Sequence, residues 1–257
     1  MKKIIRLLVL ICSVAVIIVS CAKKSDTSST STASTTDNTT TTDNTTIGTG
    51  TGTTASGTVT GNDNLTGIFN TSFFGQEPSG GCIDNSIAVA AFVSSSAVPS
   101  DTLAYKRQII FTSSTTFTES IQYYSDASCA TLTGYFNLLY TDVLVGDSLS
   151  GLSAGSNPAK PTTAKKVSYT HPSMNLKSNT TTTTAYFNSR FTASALSTLG
   201  FTQGTELVIP LSTPESNVNI WETGAMSGSS KTYLFTGRSA ESTYPDNWTS
   251  ASVWWQE

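Results

Sequence analysis

Charge is scarce in this chain: Asp, Glu, Lys and Arg make up 12% of its 257 residues, about half the usual ~25%. There is one histidine, His171, so no zinc site of paired imidazoles can form and a histidine-dependent reaction has one candidate base. The 14 basic residues are outnumbered by 17 acidic ones, which argues against the clustered basic face that nucleic acid requires. No Asp-x-Asp-x-Asp-Gly calcium loop occurs, and nothing implies a cofactor. Hydrophobic residues amount to 37% and aromatics to 9%, enough for one core but not for two.

The longest apolar run, Leu7–Val19, has ~13 residues, short of the ~20 that a dedicated membrane span needs. Lys2, Lys3 and Arg6 precede it, and it ends in Ile18-Val19-Ser20-Cys21. This pattern resembles the lipobox of bacterial lipoproteins. The resemblance implies that residues 1–20 are a signal peptide removed before Cys21, with a diacylglyceryl group on the Cys21 sulfur and an acyl chain such as palmitate on its amine. Two or more acyl chains anchor stably, whereas one binds marginally. The alternatives are an ordinary secretory signal cut elsewhere and an uncleaved anchor. Ala22 follows rather than Asp, which in an enterobacterial-type sorting system favours the outer membrane. Without the leader, eleven basic residues face seventeen acidic ones, a net charge of −6.

From Ala22 to Thr60, 23 of 39 residues are Ser or Thr, and the first aromatic is Phe69. Such a stretch buries too little apolar surface to offset its ordering entropy, so residues 21–63 read as a disordered linker. The repeated hexad Thr35-Thr-Asp-Asn-Thr-Thr40 and Thr41-Thr-Asp-Asn-Thr-Thr46 belongs to this low-complexity tract and is not a solenoid. A flexible coil of this length spans about 35 Å, enough to hold a domain clear of a membrane.

Residues 64–257 read as antiparallel β, with short alternating runs punctuated by Gly, Pro, Ser and Asn. The candidate strands are Leu65–Phe74, Ser86–Ser94, Leu103–Thr112, Thr115–Tyr124, Thr131–Val145, Lys165–Thr170, Thr205–Leu211, Val218–Thr223, Lys231–Thr236 and Ser252–Gln256. Tyr186–Arg190 and Thr192–Leu199 fit short helices, the second ended by Gly200. About eight to ten strands with almost no crossover helix mean a barrel or a sandwich rather than α/β.

Within Leu103–Thr112, Tyr105, Ile109 and Phe111 share a face with Arg107; within Thr115–Tyr124, Phe117, Ile121 and Tyr123 share one with Glu119. An odd-numbered loop near Ser113 turns both faces to the same side and sets Arg107 directly or diagonally across from Glu119. An even-numbered loop would turn them apart. Two readings stand: a structural ion pair at a barrel rim, or a polar handle inside a ligand cavity. Tyr105, Arg107, Glu119 and Tyr123 are therefore the candidate ligand-binding residues.

Cys12 leaves with the leader and Cys21 is acylated, so Cys82 and Cys129 remain. In an exported domain they read most simply as a disulfide, with two free buried thiols as the alternative. Closing a loop of ~48 residues stabilises by about 4 kcal/mol through loop-closure entropy.

Leu65-Thr-Gly67-Ile-Phe69 resembles the Gly-x-Trp opening of lipocalin-like barrels. Phe117…Tyr124-Ser-Asp126-Ala-Ser-Cys129, followed by Gly134-Tyr135, is similar to the Tyr-x-Asp-x-x-Cys strand end of lipocalin-like domains in bacterial lipoproteins. The same pattern occurs in the domain of the adenomatosis polyposis coli down-regulated protein. Tyr233-Leu-Phe-Thr-Gly237 and Tyr244-Pro245 look like the last hairpin of those domains. The sequence departs from the pattern where Phe69 replaces Trp, and in the Gly/Ser/Pro-rich excursion Leu149–Thr163. The resemblance implies that Cys82 pairs with Cys129, and that a closed lipocalin-like barrel with an apolar interior binds a lipid or another hydrophobic partner. It implies no enzyme activity.

Gly151-Leu-Ser153-Ala-Gly155 matches a nucleophile elbow, but Pro158 and Pro161 follow where a helix must run. No Asp or Glu lies between Ser153 and His171. His171, in Tyr169-Thr-His-Pro172, reads as a strand-end residue. Trp254 and Trp255 are adjacent on a strand and point to opposite faces, so one of them lies outside, against solvent, a partner, the membrane or the Leu149–Thr163 excursion. The sequence thus points to a binding protein rather than an enzyme: a membrane-anchored barrel holding a small hydrophobic ligand, or a surface lipoprotein meeting macromolecular partners through its loops.

Overall fold

The computed structural model describes residues 55–256 apart from 72–76, 85, 155–158, 192, 227, 241 and 249–251. The leader 1–20, Cys21 and most of the 21–63 linker lie outside the described residues. Eight strands form one closed antiparallel barrel in chain order: β1 (Ile68–Thr71), β2 (Ala104–Phe111), β3 (Phe117–Tyr124), β4 (Leu132–Ser150), β5 (Thr163–Ser178), β6 (Leu207–Ala225), β7 (Thr232–Thr236) and β8 (Ser252–Gln256). Each strand pairs with its neighbours in sequence, and β8 closes on β1 through Phe69↔Gln256, Asn70↔Trp255 and Thr71↔Trp254. The all-β barrel expected from the sequence is the fold, with eight strands.

Ten candidate runs become eight strands for two reasons. Ser86–Ser94 is not a strand but a helix, α1 (Ser86–Ser94). Its buried residues Ala88, Val89 and Phe92 follow helical spacing, and alanine is the best helix former. Thr205–Leu211 and Val218–Thr223 belong to one strand, β6, interrupted by a bulge. There His171 pairs with Glu215 but Ser173 with Pro210, so Leu211–Pro214 face a single residue of β5. Folding also begins before Asn64: Val59 is fully buried, its N–H donates to the Leu65 carbonyl at 3.0 Å, and the Ser56 and Gly57 amides donate to the Phe111 carbonyl.

Two further helices, α2 (Thr181–Arg190) and α3 (Ala193–Thr198), lie between β5 and β6. The Thr180 hydroxyl caps α2 by accepting the Thr183 N–H at 3.1 Å, which offsets the weak helix propensity of its threonines. Gly200, at φ 78°, ends α3. Its N–H donates to the Ser197 carbonyl, and the Phe201 N–H to that of Leu196, the paired bonds of a glycine-terminated helix.

Inside, one apolar cluster joins Phe69, Phe111, Phe117, Tyr169, Trp221 and Trp254, with Val59 and Leu65 of the N-terminal turn packed into it. A second, at the other end, is covered by helices: Phe92 of α1 meets Tyr105 edge-on at 5.6 Å, and Phe187 of α2 is 6.3 Å from Tyr123. A third cluster lies on the outer face, where Leu152, Trp248, Tyr233, Phe235 and Trp255 pack together. Leu152 of the Leu149–Thr163 excursion thus shares this outer cluster with Trp255, while Trp254 packs in the inner one.

Cys82 and Cys129 form a disulfide. Asp126 shapes the β3–β4 turn that presents Cys129: its carboxylate accepts the amides of Ser128, Ala130 and Thr131 and the Ser128 hydroxyl. These bonds hold its carboxyl well below the usual carboxylate range. Gly134, next along, permits the close seating of α2. A Cβ there would fall 2.6 Å from both the Lys177 carbonyl oxygen and the Thr183 methyl. Gly134→Ala is therefore expected to lower stability by about 1–3 kcal/mol in urea titration. Gly146→Ala, whose Cβ meets nothing nearer than 3.6 Å, serves as the control and should change it by under about 0.5 kcal/mol. Equal losses would refute the crowding argument.

Candidate functional site

The β2–β3 hairpin has the odd loop that aligns its faces. Phe111 pairs with Phe117 across Thr112–Thr116, Ile109 with Glu119, and Arg107 with Ile121. Arg107 and Glu119 are thus diagonal neighbours on the inner face. The Arg107 Nε and Nη2 atoms both lie 2.6 Å from the same Glu119 oxygen, and the guanidinium sits 5.0 Å from the Trp254 ring centroid, a cation–π distance.

This pair forms a polar layer between the two inner apolar clusters. Tyr140 of β4 adjoins it, stacked on Phe117 at 4.4 Å and 5.0 Å from the His171 ring. His171 is not a strand-end residue but lies inside β5, where Val167, Tyr169 and His171 alternate toward the interior and Lys165–Thr170 simply continues. It is 3% exposed and its Nε2 has no hydrogen-bond partner. Burial pushes its pKa below the ordinary 6.5, against the opposing pull of Glu215, the Ser173 backbone and Glu119. Burial likewise raises the Tyr140 phenol well above its usual value, with Glu119 adding to the effect.

Of the four candidate ligand residues, Tyr105, Arg107 and Glu119 are half-buried on the inner face and Tyr123 is buried. The Arg107 and Glu119 side chains are 21% and 16% exposed although they point into a closed barrel. Tyr105, Ile121, Leu138, Tyr140 and Ile209, facing the same interior, are also only half-buried. Tyr123 is buried beneath Tyr186 and Phe187 of α2 and belongs to the helical cover. Tyr140 and His171 are the members that sequence reading missed. The alternation Val167, Tyr169, His171 was the available signal.

Among the described residues, Ser153 and His171 are not brought together. Ser153 is exposed in the β4–β5 connection, with Gly155 outside the described residues. His171 stands eight residues along β5 from Thr163, roughly 26 Å at the rise of a strand. Among the described residues no three His, Cys, Asp or Glu side chains are placed to hold a metal ion, and no helix is long and apolar enough to cross a membrane. The fold and site define an eight-stranded up-and-down barrel with a polar layer in its interior. No protein-family model matches the chain, and no curated protein matches it in sequence.

Two measurements probe the layer. His171 binds a proton less readily folded than unfolded, so its contribution to stability is complete above pH 6.5 and declines as pH falls below it. The urea midpoint should drop between pH 7.5 and 5, before carboxylates such as Asp126 titrate, and His171→Asn should flatten that drop; an unchanged slope would overturn the assignment. Glu119→Leu, which strands the Arg107 charge, should cost about 2–3 kcal/mol, less than for a dry pair because water reaches both groups. Adding Arg107→Met should recover most of that loss in urea titration, and a double variant no more stable than the single one would sink the idea.

Proposed function

We propose that this protein is a membrane-tethered carrier: Cys21 bears the lipid anchor, the 21–63 linker gives reach, and the barrel interior holds a small hydrophobic ligand such as a lipid. The observation that carries this reading is the accessibility of the interior side chains. In a barrel filled by its own residues, inward positions on β2, β3, β4 and β6 are dry. Here Tyr105, Ile121, Leu138, Tyr140 and Ile209 retain exposure around the Arg107–Glu119 pair. Apolar walls with a few convergent polar groups are what small-molecule sites are made of. The lipobox-like Ile18–Cys21, followed by Ala22 rather than Asp, supports an outer-membrane carrier facing the periplasm or the cell surface.

A second reading has its own support. The end of the interior holding Phe69, Phe111, Phe117, Trp221 and Trp254 is filled by aromatic side chains, and a cavity of about 490 Å³ opens instead on the outside, at Arg238, Thr243, Pro245 and Asn247. A surface lipoprotein that meets macromolecular partners through its loops needs no inner chamber.

Native mass spectrometry separates the two. Residues 21–257, secreted behind a cleavable leader with Cys21→Ser and purified without detergent, should carry a discrete added mass that denaturation releases. A bare chain that also ignores a lipid panel would refute the carrier and turn the search to surface partners.

A further inference from the structure

Given the carrier reading, on which this rests, we infer that the interior selects a non-anionic single-chain amphiphile whose head group donates a hydrogen bond, such as an alcohol, and rejects the corresponding fatty acid. Arg107 is the cation of the polar layer, and it is already engaged by Glu119 at 2.6 Å and stacked on Trp254. Lys165, on the same strand as His171, donates to the Ser148 hydroxyl at 2.7 Å near the exposed end of the β4–β5 hairpin. Arg190, whose charge bears on Tyr123, is engaged by the Ser96 carbonyl and the Tyr186 ring.

The negative charges acting on the layer are two, Glu119 and Glu215; both bear on the ionisation of Tyr140 and of His171. A ligand carboxylate entering here would be a third anion opposed by one cation that is already paired. Like charges gathered in a partly desolvated site are strongly disfavoured.

The unmet need of the layer is for a donor. His171 is buried and neutral at physiological pH. The Ser173 backbone takes one ring N–H, and Nε2 has no partner. With its proton on the other nitrogen, Nε2 is a bare acceptor. Leaving such an atom dry and unpaired is unfavourable, and a head group that donates to it removes the penalty. An ionised carboxylate has no proton to give, whereas a hydroxyl does. The half-buried Ile121, Leu138 and Ile209 supply apolar contact for the chain behind it.

The test uses 1-decanol and decanoate, which share a chain and differ at the head group, titrated at pH 8 into the secreted 21–257 chain. Tryptophan fluorescence reports binding, and Trp254→Phe assigns the signal. Decanol is expected to bind at least tenfold tighter than decanoate. His171→Leu should weaken decanol about tenfold, the loss of one hydrogen bond, and leave decanoate unchanged. Binding of decanoate as tight as decanol, or a decanol affinity indifferent to His171→Leu, would overturn the head-group inference while leaving a carrier. Failure of both probes, with a bare chain in native mass spectrometry, would overturn the carrier itself.

Discussion

Everything inside this protein depends on how the barrel closes. β1 has four residues, and three pairs with β8 seal the sheet. Ladder hydrogen bonds alone are a thin seal, so both faces of the seam carry large side chains. Inside, Trp254 packs in the cluster of Phe69 and Leu234, and its indole N–H donates to Thr236 on the neighbouring strand at 3.0 Å. Outside, Trp255 is fully buried and lies 3.7 Å from the Lys231 ammonium, which Glu77 anchors at 3.4 Å. Glu77 also accepts the Tyr233 hydroxyl. Two adjacent tryptophans on one strand thus hold the seam from opposite sides, a direct use of the two-residue period of a strand.

From the seam strand β1 across to β3, the outer face is held by polar groups. Gln108 donates to Asn70, Gln122 to Gln108, and the Tyr124 hydroxyl to Gln122. These side chains are buried, so each bond offsets a desolvation cost that an orphaned amide would impose. The chain therefore builds an apolar layer outside β6–β8 and a hydrogen-bonded one outside β1–β3. Low charge content follows from this construction, since much of the sheet's outer surface is itself covered.

How much of this could be read in advance divides along physical lines. The β2–β3 register was legible because a loop of known parity and two alternating runs determine which side chains meet, and Arg107 and Glu119 are where that argument puts them. Gly200 marked the end of α3 because only a glycine takes the positive φ there without strain. Ser86–Ser94 misled because a short apolar run satisfies helix and strand alike, and only packing beneath the barrel mouth decided it. The bulge in β6 hid a single strand behind Ser212-Thr-Pro-Glu215, a sequence that reads as a turn. His171 was visible as the one histidine but not as a member of the polar layer. Its place depends on β5 running on past Pro172, which is tolerated where the bulge already relieves the ladder.

The polar layer is the least economical part of the interior, and that is an argument about its use. A paired charge inside a barrel contributes about as much as the apolar residues that would replace it, or less, and an unpartnered His171 Nε2 makes the fold worse. Aromatic side chains fill the adjoining cluster to closure, so the sequence is capable of packing this space dry. Keeping the partly exposed Arg107–Glu119 pair beside Tyr140 and a buried His171, close to a break in the β5–β6 ladder, sacrifices stability. A barrel serving only as a rigid spacer gains nothing from that arrangement. One that admits a guest gains a place for the guest's polar end.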